Sequence, residues 1–391
     1  MAELPFIKQC DPHAGYHAHW VEIDAAVIEA LQRDRYLMGK ELALFEQEFS
    51  RWQDVEHTIG VANGTDAILL ALQALDVTRN NFVVTPSLTA VATVNAIARS
   101  GAIPLFVDVD PDTGTLCPDS LERALEKGAL SRNVQIAAIV VVHLYGFPAD
   151  MTRITAIAEE YDIPIVEDVA QAHGARWQGT RVGTFGSLAA FSFYPTKNLA
   201  ALGDAGAVTT DQLDVAERIR ALRQYGWNED RIAQEIGLNS RLDELQAAIL
   251  RIRLRHLDQE TRRRRQIADD YFAALETTSL STIRAFPHAD PVFHQFIVRT
   301  AKREQFRQFL LERKIQTAIH YERGVHQHPA YWRFYEMAKS LDVDVPLTHT
   351  EQLVEEVVSL PMYPQLSDGE VERVCQACLQ WSQEQKRGRH D

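Results

Sequence analysis

Phe191-Ser192-Phe193-Tyr194-Pro195-Thr196-Lys197-Asn198 is an apolar, aromatic run that predicts a buried strand ending on a single lysine. A loop rich in glycine and alanine follows it at residues 199–206. Burial lowers the pKa of a lysine amine and makes the amine nucleophilic. Lys197 is therefore either a Schiff-base lysine or an ordinary surface lysine on a loop, and the second is the commoner case for such a run taken alone.

The length and composition of the chain indicate a soluble globular protein. Its 391 residues are 46% hydrophobic and 24% charged, which is enough for two domains with a large core. The net charge of -14 argues against nucleic acid or an anionic membrane as a partner. No basic segment leads into an apolar one at the start, and the longest apolar run is too short to span a bilayer, so we expect a cytoplasmic location. The four cysteines are expected to stay unpaired there.

Strand patterns alternate with helical patterns over most of the chain. Beyond the opening run, we predict strands at residues 57–62, 82–85, 103–108, 136–143, 163–168 and 207–210. This order predicts an α/β fold, in which helices cover a mostly parallel sheet and ligands bind beyond the C-terminal strand ends.

A long helix from about residue 242 leads into a second region, which mixes predicted strands at 295–298 and 316–319 with helices. We expect a large domain over residues 1–255 and a smaller α+β domain over residues 256–391.

A pyridoxal 5′-phosphate lysine requires a carboxylate for the pyridine nitrogen of the cofactor. Asp168 ends a strongly apolar predicted strand and could supply it, although a strand-end cap is an equally good interpretation. Two residues on, Ala170 is small enough to lie under a planar ring. Gln171 could form a hydrogen bond with the ring hydroxyl.

A phosphate site is the other requirement. Gly64 and Thr65 begin a predicted helix and offer backbone donors, a hydroxyl and the positive end of the helix dipole. A plain helix N-cap is the competing interpretation. Ser192 could add a second hydroxyl, although serine in a strand is usually just tolerated.

Two patterns imitate metal sites. Residues 108–119 resemble a calcium loop, but the glycine is one position late and the twelfth residue is Asp119 rather than glutamate. Cys375 and Cys378 lie on an amphipathic helical pattern without a second pair of ligands. We expect no metal.

The order of these features resembles the DegT/StrS-type sugar aminotransferases, which are fold-type I pyridoxal phosphate enzymes. The matching blocks run through most of the chain and include Asn63-Gly64-Thr65-Asp66-Ala67, Val142-His143-Leu144-Tyr145-Gly146, Glu167-Asp168-Val169-Ala170-Gln171-Ala172-His173-Gly174, residues 191–199 and Asn239-Ser240-Arg241-Leu242. The resemblance implies a large domain with a seven-stranded sheet and a homodimer.

The resemblance also implies a role for each matching residue. Lys197 would carry the cofactor as a Schiff base, Asp168 would contact the pyridine nitrogen and Gln171 the ring hydroxyl. The phosphate would be held by Gly64, Thr65, Ser192 and, from the other subunit, Asn239.

The chain departs from the family pattern at two places. Ala90 stands where many members have an aromatic residue, so Leu88 is the candidate for contact with the cofactor ring. The sequence reads His320-Tyr321-Glu322 where the family often has His-Tyr-Pro, and His320, Tyr321 and His326 are candidate contacts to a sugar nucleotide.

The activity implied is transfer of an amino group, with L-glutamate the expected donor, to a nucleotide-linked keto-sugar. Overall similarity favours a 3-keto-6-deoxyhexose on dTDP, while the nucleotide and the choice between C3 and C4 stay open. Two alternatives remain: a non-catalytic regulator that keeps the cofactor fold, and a pyridoxal phosphate sugar dehydratase. Lysine at position 197 favours transamination, because dehydratases of the family carry histidine there.

Overall fold

The structure, a computed structural model, describes residues 5–387. The strands are β1 (His57–Val61), β2 (Asn81–Pro86), β3 (Ile103–Val107), β4 (Gln135–Val142), β5 (Ile165–Asp168), β6 (Arg176–Trp177), β7 (Thr180–Arg181), β8 (Leu188–Ser192), β9 (Gly206–Thr210), β10 (Ser281–Thr282), β11 (Ala289–Asp290), β12 (Phe296–Arg299) and β13 (Val357–Leu360). The helices are α1 (Pro12–His17), α2 (Trp20–Leu31), α3 (Lys40–Gln53), α4 (Gly64–Ala74), α5 (Val91–Arg99), α6 (Pro118–Leu130), α7 (Met151–Glu160), α8 (Leu213–Leu222), α9 (Glu244–Leu275), α10 (Arg303–Glu312), α11 (Trp332–Ser340), α12 (Thr348–Glu356) and α13 (Asp368–Arg387). Within this part of the chain, no helix is both long and apolar enough to cross a bilayer.

The predicted α/β fold with a seven-stranded, mostly parallel sheet is confirmed. The strand order is β1-β9-β8-β5-β4-β2-β3, and β9 runs antiparallel to both of its neighbours. Val142 of β4 lies opposite Asp168 of β5, which lies opposite Ala190 of β8. The carboxyl ends of three central parallel strands therefore meet at one edge of the sheet, where ligands of such folds bind.

Both faces of the sheet are covered, which explains why its strands are apolar throughout. Along β4, Ile139 and Val141 point into one hydrophobic cluster, which contains Phe45 and Phe49 of α3. The alternate residues Ala138 and Val140 point into a second cluster, on the face covered by α4.

The strand predicted from residues 191–198 was placed too far along the chain at its C-terminal end. This strand, β8, ends at Ser192 and not at Lys197. Phe193 still donates its N–H to the Ala205 carbonyl at 2.8 Å, and the chain then turns, with Lys197 N–H donating to the Tyr194 carbonyl at 2.8 Å. Proline has no N–H and cannot continue a ladder, so Pro195 accounts for the early end. Lys197 thus sits in a turn just past the sheet edge.

A smaller antiparallel sheet, in the order β10-β12-β13, lies in the C-terminal part of the chain. The strand predicted at residues 295–298 corresponds to β12, but the one predicted at 316–319 does not form. There, Ala318 makes a single bridge to Ser359, and Ile315 bridges to Ile7 of the N-terminal segment. The two residues bond to different partners, so no continuous ladder develops.

Helix α9 is continuous from Glu244 to Leu275. The predicted domain boundary at residue 255 falls within this helix, and the division into 1–255 and 256–391 stays a prediction.

A buried carboxylate fixes the loop that precedes β8. Both side-chain oxygens of Glu167 accept backbone N–H bonds at 2.7 Å, Oε2 from Gly183 and Oε1 from Phe185 and Gly186. His143 Nε2 lies 3.0 Å from the same Oε2. Glu167 and His143 are fully buried, so this carboxylate ties β4, β5 and the 183–186 loop together.

Replacing Glu167 with alanine is expected to destabilise the protein strongly. It leaves three N–H groups without an acceptor, one of them buried and two partly buried, at a cost of about 3 kcal/mol or more in free energy of unfolding. The matched control is Glu160→Ala at the exposed end of α7, which should melt like the parent. Thermal melting of both variants checks this, and equal melting temperatures would contradict the anchoring role.

Candidate active site

A cavity of about 540 Å³ opens at the carboxyl edge of the sheet. It lies where β5 and β8 end and where α4 and α5 begin. It brings together seven predicted cofactor residues, namely Gly64, Thr65, Asp168, Ala170, Gln171, Ser192 and Lys197. Its other lining residues include Asn63, Asp66, Thr89, Ala90, Thr93, Asn95, Arg99, Tyr194 and Asp204.

Lys197 supplies the nucleophilic group of the cavity. Part of the residue faces the open cavity, but its amine is enclosed, and burial lowers the pKa of that amine to about 8. The charge of Asp168 opposes this shift without cancelling it. A substantial fraction of the amine is therefore unprotonated near neutral pH, as a nucleophile requires.

Asp168 is 5% exposed and lies at the end of β5. Its Oδ2 accepts a hydrogen bond from the Thr93 hydroxyl at 2.8 Å, and its Oδ1 accepts from the Ala170 N–H at 3.1 Å. Burial raises the pKa of Asp168, while these two hydrogen bonds and the charge of Lys197 work in the opposite direction. A cation placed against this carboxylate would restore the ionised form.

The start of α4 forms an anion cradle. Asn63 caps the helix by accepting the Asp66 N–H at 2.9 Å, which leaves the first-turn N–H groups of Gly64 and Thr65 without partners inside the helix. A Cβ at Gly64 would lie 2.5 Å from the Ser192 Cβ, so only glycine allows this close packing. Two N–H groups, two hydroxyls and the positive helix end are thereby concentrated at one point.

Gln171 is held at both ends of its amide. Its Oε1 accepts the Tyr145 N–H at 2.8 Å, and its Nε2 donates to the Tyr321 hydroxyl at 2.9 Å. Burial raises the pKa of Tyr321 to about 12, so the hydroxyl keeps its proton. Tyr145 donates its own hydroxyl to the His320 carbonyl, so the predicted residues His320 and Tyr321 connect to the cavity through Gln171 and Tyr145.

Besides His320 and Tyr321, three more predicted residues do not line the cavity. Leu88 is fully buried in the core beside Tyr145. Asn239 is exposed, in a segment that bridges to Gln224. His326 is buried elsewhere, with its Nδ1 2.6 Å from the Ser87 hydroxyl.

His326 lies between a serine and a glutamate: its Nε2 is 3.4 Å from Glu351 Oε1, and its Nδ1 faces the Ser87 hydroxyl. The order serine, histidine, glutamate is that of a hydrolase triad. Ser87, however, is fully buried, and its oxygen also accepts the His326 N–H at 3.2 Å. The serine has no access to a substrate, so the cluster fastens the 325–327 turn to the end of β2.

Several residues that line the cavity were not among the predicted site residues. Thr93, which bonds Asp168, sits in the first turn of α5. Ala92, Asn95 and Arg99 stand at helical spacing and also line the cavity, as one face of that helix. The polar residues on this face of α5 were the sequence signal that could have indicated a site. Nothing in the sequence, however, says which strand end α5 faces.

Comparisons with known proteins agree with this geometry. The model of the DegT/DnrJ/EryC1/StrS aminotransferase family matches residues 19–379. A dTDP-3-amino-3,4,6-trideoxy-alpha-D-glucose transaminase of Streptomyces venezuelae is 40% identical over 98% of both chains. The erythromycin biosynthesis sensory transduction protein EryC1 of Saccharopolyspora erythraea is 41% identical over 93% of this chain and 96% of its own. The crystal structure of S. venezuelae DesV in complex with a ketimine intermediate superposes with a TM-score of 0.90 at 40% identity, covering 97% of this chain and 99% of that one.

The depressed pKa of Lys197 predicts how its amine reacts in the cofactor-free protein. With a pKa of about 8, about a quarter of the amine is neutral near pH 7.5, against about a thousandth for an ordinary lysine. Reductive methylation of Lys197, followed by mass spectrometry, should therefore be half-maximal near pH 8. Asp168→Asn removes the charge that favours the ammonium form, so the midpoint should move to lower pH.

Exposed lysines in the same digest serve as the internal comparison. A midpoint for Lys197 near 10.5, the ordinary value for a lysine, would contradict the desolvated amine.

Proposed function

Because the chain belongs to the DegT/DnrJ/EryC1/StrS aminotransferase family, we propose that it transfers an amino group from L-glutamate to a keto-sugar carried on a nucleotide. The chain is an aminotransferase, and its cofactor is pyridoxal 5′-phosphate. The observation that supports this proposal is a single cavity lined by a desolvated lysine, a strand-end carboxylate and an anion cradle at a helix N-terminus.

The residues present fit the cofactor. The close contact of Gly64 with Ser192 makes room for an anion beside the start of α4, so Gly64, Thr65 and Ser192 would hold the phosphate. Ala170, on the cavity wall two residues past Asp168, leaves space for a planar ring. Gln171 still has one amide hydrogen for the ring hydroxyl after its bond to Tyr321.

Asp168 and Lys197 would have different roles in the proposed reaction. When bound, pyridoxal 5′-phosphate supplies an electron sink that stabilises negative charge on a substrate carbon. Asp168 would keep the ring nitrogen protonated, and the Thr93 hydroxyl keeps the carboxylate pointed into the cavity. Lys197 would anchor the cofactor covalently and, when released, its amine would carry a proton to or from the substrate carbon, because its pKa of about 8 lets it act both as base and as acid.

The nucleotide-sugar assignment is supported by the relatives. The S. venezuelae transaminase is named for a dTDP-linked 3-amino sugar, which favours a 3-keto-6-deoxyhexose on dTDP as the acceptor here. His320 and Tyr321, linked to the cavity through Tyr145 and Gln171, are the proposed sugar contacts on this chain. His326 is buried against Ser87 and lies outside this set, and its role as a sugar contact stays a prediction.

A regulator that keeps the fold is the rival assignment, and the name of the S. erythraea relative favours it. A sensor does not need a lysine with a depressed pKa next to a buried carboxylate, so the Lys197 and Asp168 pair argues for catalysis. L-glutamate should bleach the visible absorbance of the bound cofactor in an aminotransferase and leave it unchanged in a regulator.

Lys197→Ala should fold and melt like the parent, because it removes an amine whose charge is unfavourable in its buried surroundings. Amination should fall by on the order of 10²- to 10⁴-fold or more, since the proton carrier is gone. Lys302→Ala, at an exposed position, is the matched control. A Lys197→Ala enzyme that aminates at the parental rate would rule out the assignment.

Mass spectrometry of products from dTDP-, UDP- and GDP-linked keto-sugars, each incubated with L-glutamate, tests the acceptor. An amino sugar on dTDP is the expected product. Loss of water without amination would instead support the dehydratase, and no product with any sugar nucleotide would reject the acceptor class.

Asn239 is proposed to complete the phosphate site of a second subunit, because it is exposed and lies outside the cavity of its own chain. Lys197→Ala and Asn239→Ala should each be impaired as single variants. When the two chains are mixed after unfolding and refolded together, each mixed dimer regains one site with both native residues. Recovery of activity in the mixture, absent from either variant refolded alone, is the expected result; no recovery would place Asn239 within its own subunit's site or outside catalysis.

A further inference from the structure

A chain of buried polar side chains runs from the N-terminal segment to the residue after Lys197. Gln9 Nε2 donates to Gln295 Oε1 at 2.7 Å, and Gln295 Nε2 lies 3.4 Å from His294 Nε2. On the other side of the ring, His294 Nδ1 lies 3.2 Å from Asn198 Oδ1. Each of the four side chains is at most 8% exposed. We call Gln9, Gln295, His294 and Asn198 the amide–imidazole relay.

Backbone carbonyls at both ends fix the direction of the relay. A carbonyl only accepts, so the amide nitrogen of Gln9 must face Leu360 O, at 3.3 Å, and that of Asn198 must face Val292 O, at 3.0 Å. Gln9 therefore donates to Gln295 Oε1, which turns the Gln295 nitrogen toward His294.

The protonation of the His294 ring follows from its two neighbours. Its Nε2 faces an N–H donor of Gln295 and must accept, while its Nδ1 faces the oxygen of Asn198 and must donate. His294 is thus neutral, with its proton on Nδ1. The surroundings of His294 also favour the neutral ring. Burial lowers its pKa, and so do the nearby charged and titratable groups Lys197, Arg264, His320 and His173.

The relay ends at the turn that carries the lysine. Asn198 directly follows Lys197, whose N–H closes the turn onto Tyr194. The Asn198 side chain is tied to residues 292 and 294, which lie beyond α9 in the chain. The turn is therefore fixed from outside the sheet, by hydrogen bonds with a set direction.

We propose that the amide–imidazole relay positions Lys197, and that His294 acts in it as a neutral hydrogen-bond link and not as an acid or base. This inference rests on the proposed role of Lys197. It assigns Asn198, His294, Gln295 and Gln9 as positioning residues, through which the N-terminal segment supports the active site.

Three variants of His294 separate the possible roles. His294→Gln can accept from Gln295 through its oxygen and donate to Asn198 through its nitrogen, so it reproduces the neutral ring without being able to titrate. His294→Glu has a similar shape but only acceptors when it is ionised, so its rate is compared at alkaline pH, where the carboxylate is charged. His294→Met has neither group. His288→Met, at an exposed nearby position, is the matched control.

The first readout is the rate of amination. We expect kcat of His294→Gln within about threefold of the parent with an unchanged pH profile, and kcat of His294→Glu and His294→Met at least about tenfold lower with KM within about threefold. If the glutamine variant is as slow as the methionine variant, the imidazole itself acts in catalysis and the proposal is wrong. If all three match the parent, His294 only fills space and the proposal is also wrong.

The second readout needs neither cofactor nor turnover. Loosening the turn lets water reach the Lys197 amine, so its methylation midpoint should rise above pH 8 in His294→Met and stay near 8 in His294→Gln. Equal midpoints would overturn the proposal even if the aminotransferase assignment holds, and a shift would support it even if that assignment fails. Should His294→Met not fold, Gln295→Met, which removes the donor to the ring, must give the same rise.

Discussion

The desolvation of one lysine amine is the constraint on which the site depends. Burial in the cavity lowers the pKa of Lys197 to about 8, and the nearby carboxylate of Asp168 keeps the shift from going further. A buried charge is costly, and the opposite charge of the neighbouring group offsets part of that cost for both Lys197 and Asp168. Around the pair, the Thr93 hydroxyl, the Ala170 N–H and the Lys197 turn are arranged so that the two groups face one space.

Strand β5 shows how one element serves both stability and chemistry. Its last two residues are carboxylates, and the alternation of a strand sends them to opposite faces. Glu167 points into the protein and accepts three N–H groups from the 183–186 loop, so its charge is satisfied and only holds structure. Asp168 points to the carboxyl edge, where it keeps capacity for a ligand. Position along the strand, not residue type, decides between the two roles.

The fold and much of the site could be predicted because the signals are local. Alternating apolar strands and helices indicate the parallel sheet, and the turn at Asn63-Gly64-Thr65 indicates an anion site through its own backbone. The missed contacts depend on partners that are distant in sequence: Thr93, which was not predicted, bonds Asp168, 75 residues away, and the predicted residue Tyr321 bonds Gln171, 150 residues away. The strand wrongly predicted at 316–319 has a suitable pattern, yet its neighbours in space offer single bridges.

The sequence by itself determined the class of fold and the order of its elements, and it singled out Lys197, Asp168, Gly64 and Thr65 as candidate site residues, because hydrophobic period, turn chemistry and a charge at a strand end are all local signals. Only the tertiary structure decided that β8 stops at Ser192, that Leu88 and His326 lie in the core, and that His294 is neutral. These depend on burial and on the direction of hydrogen bonds between distant segments, and neither quantity exists until the chain has folded.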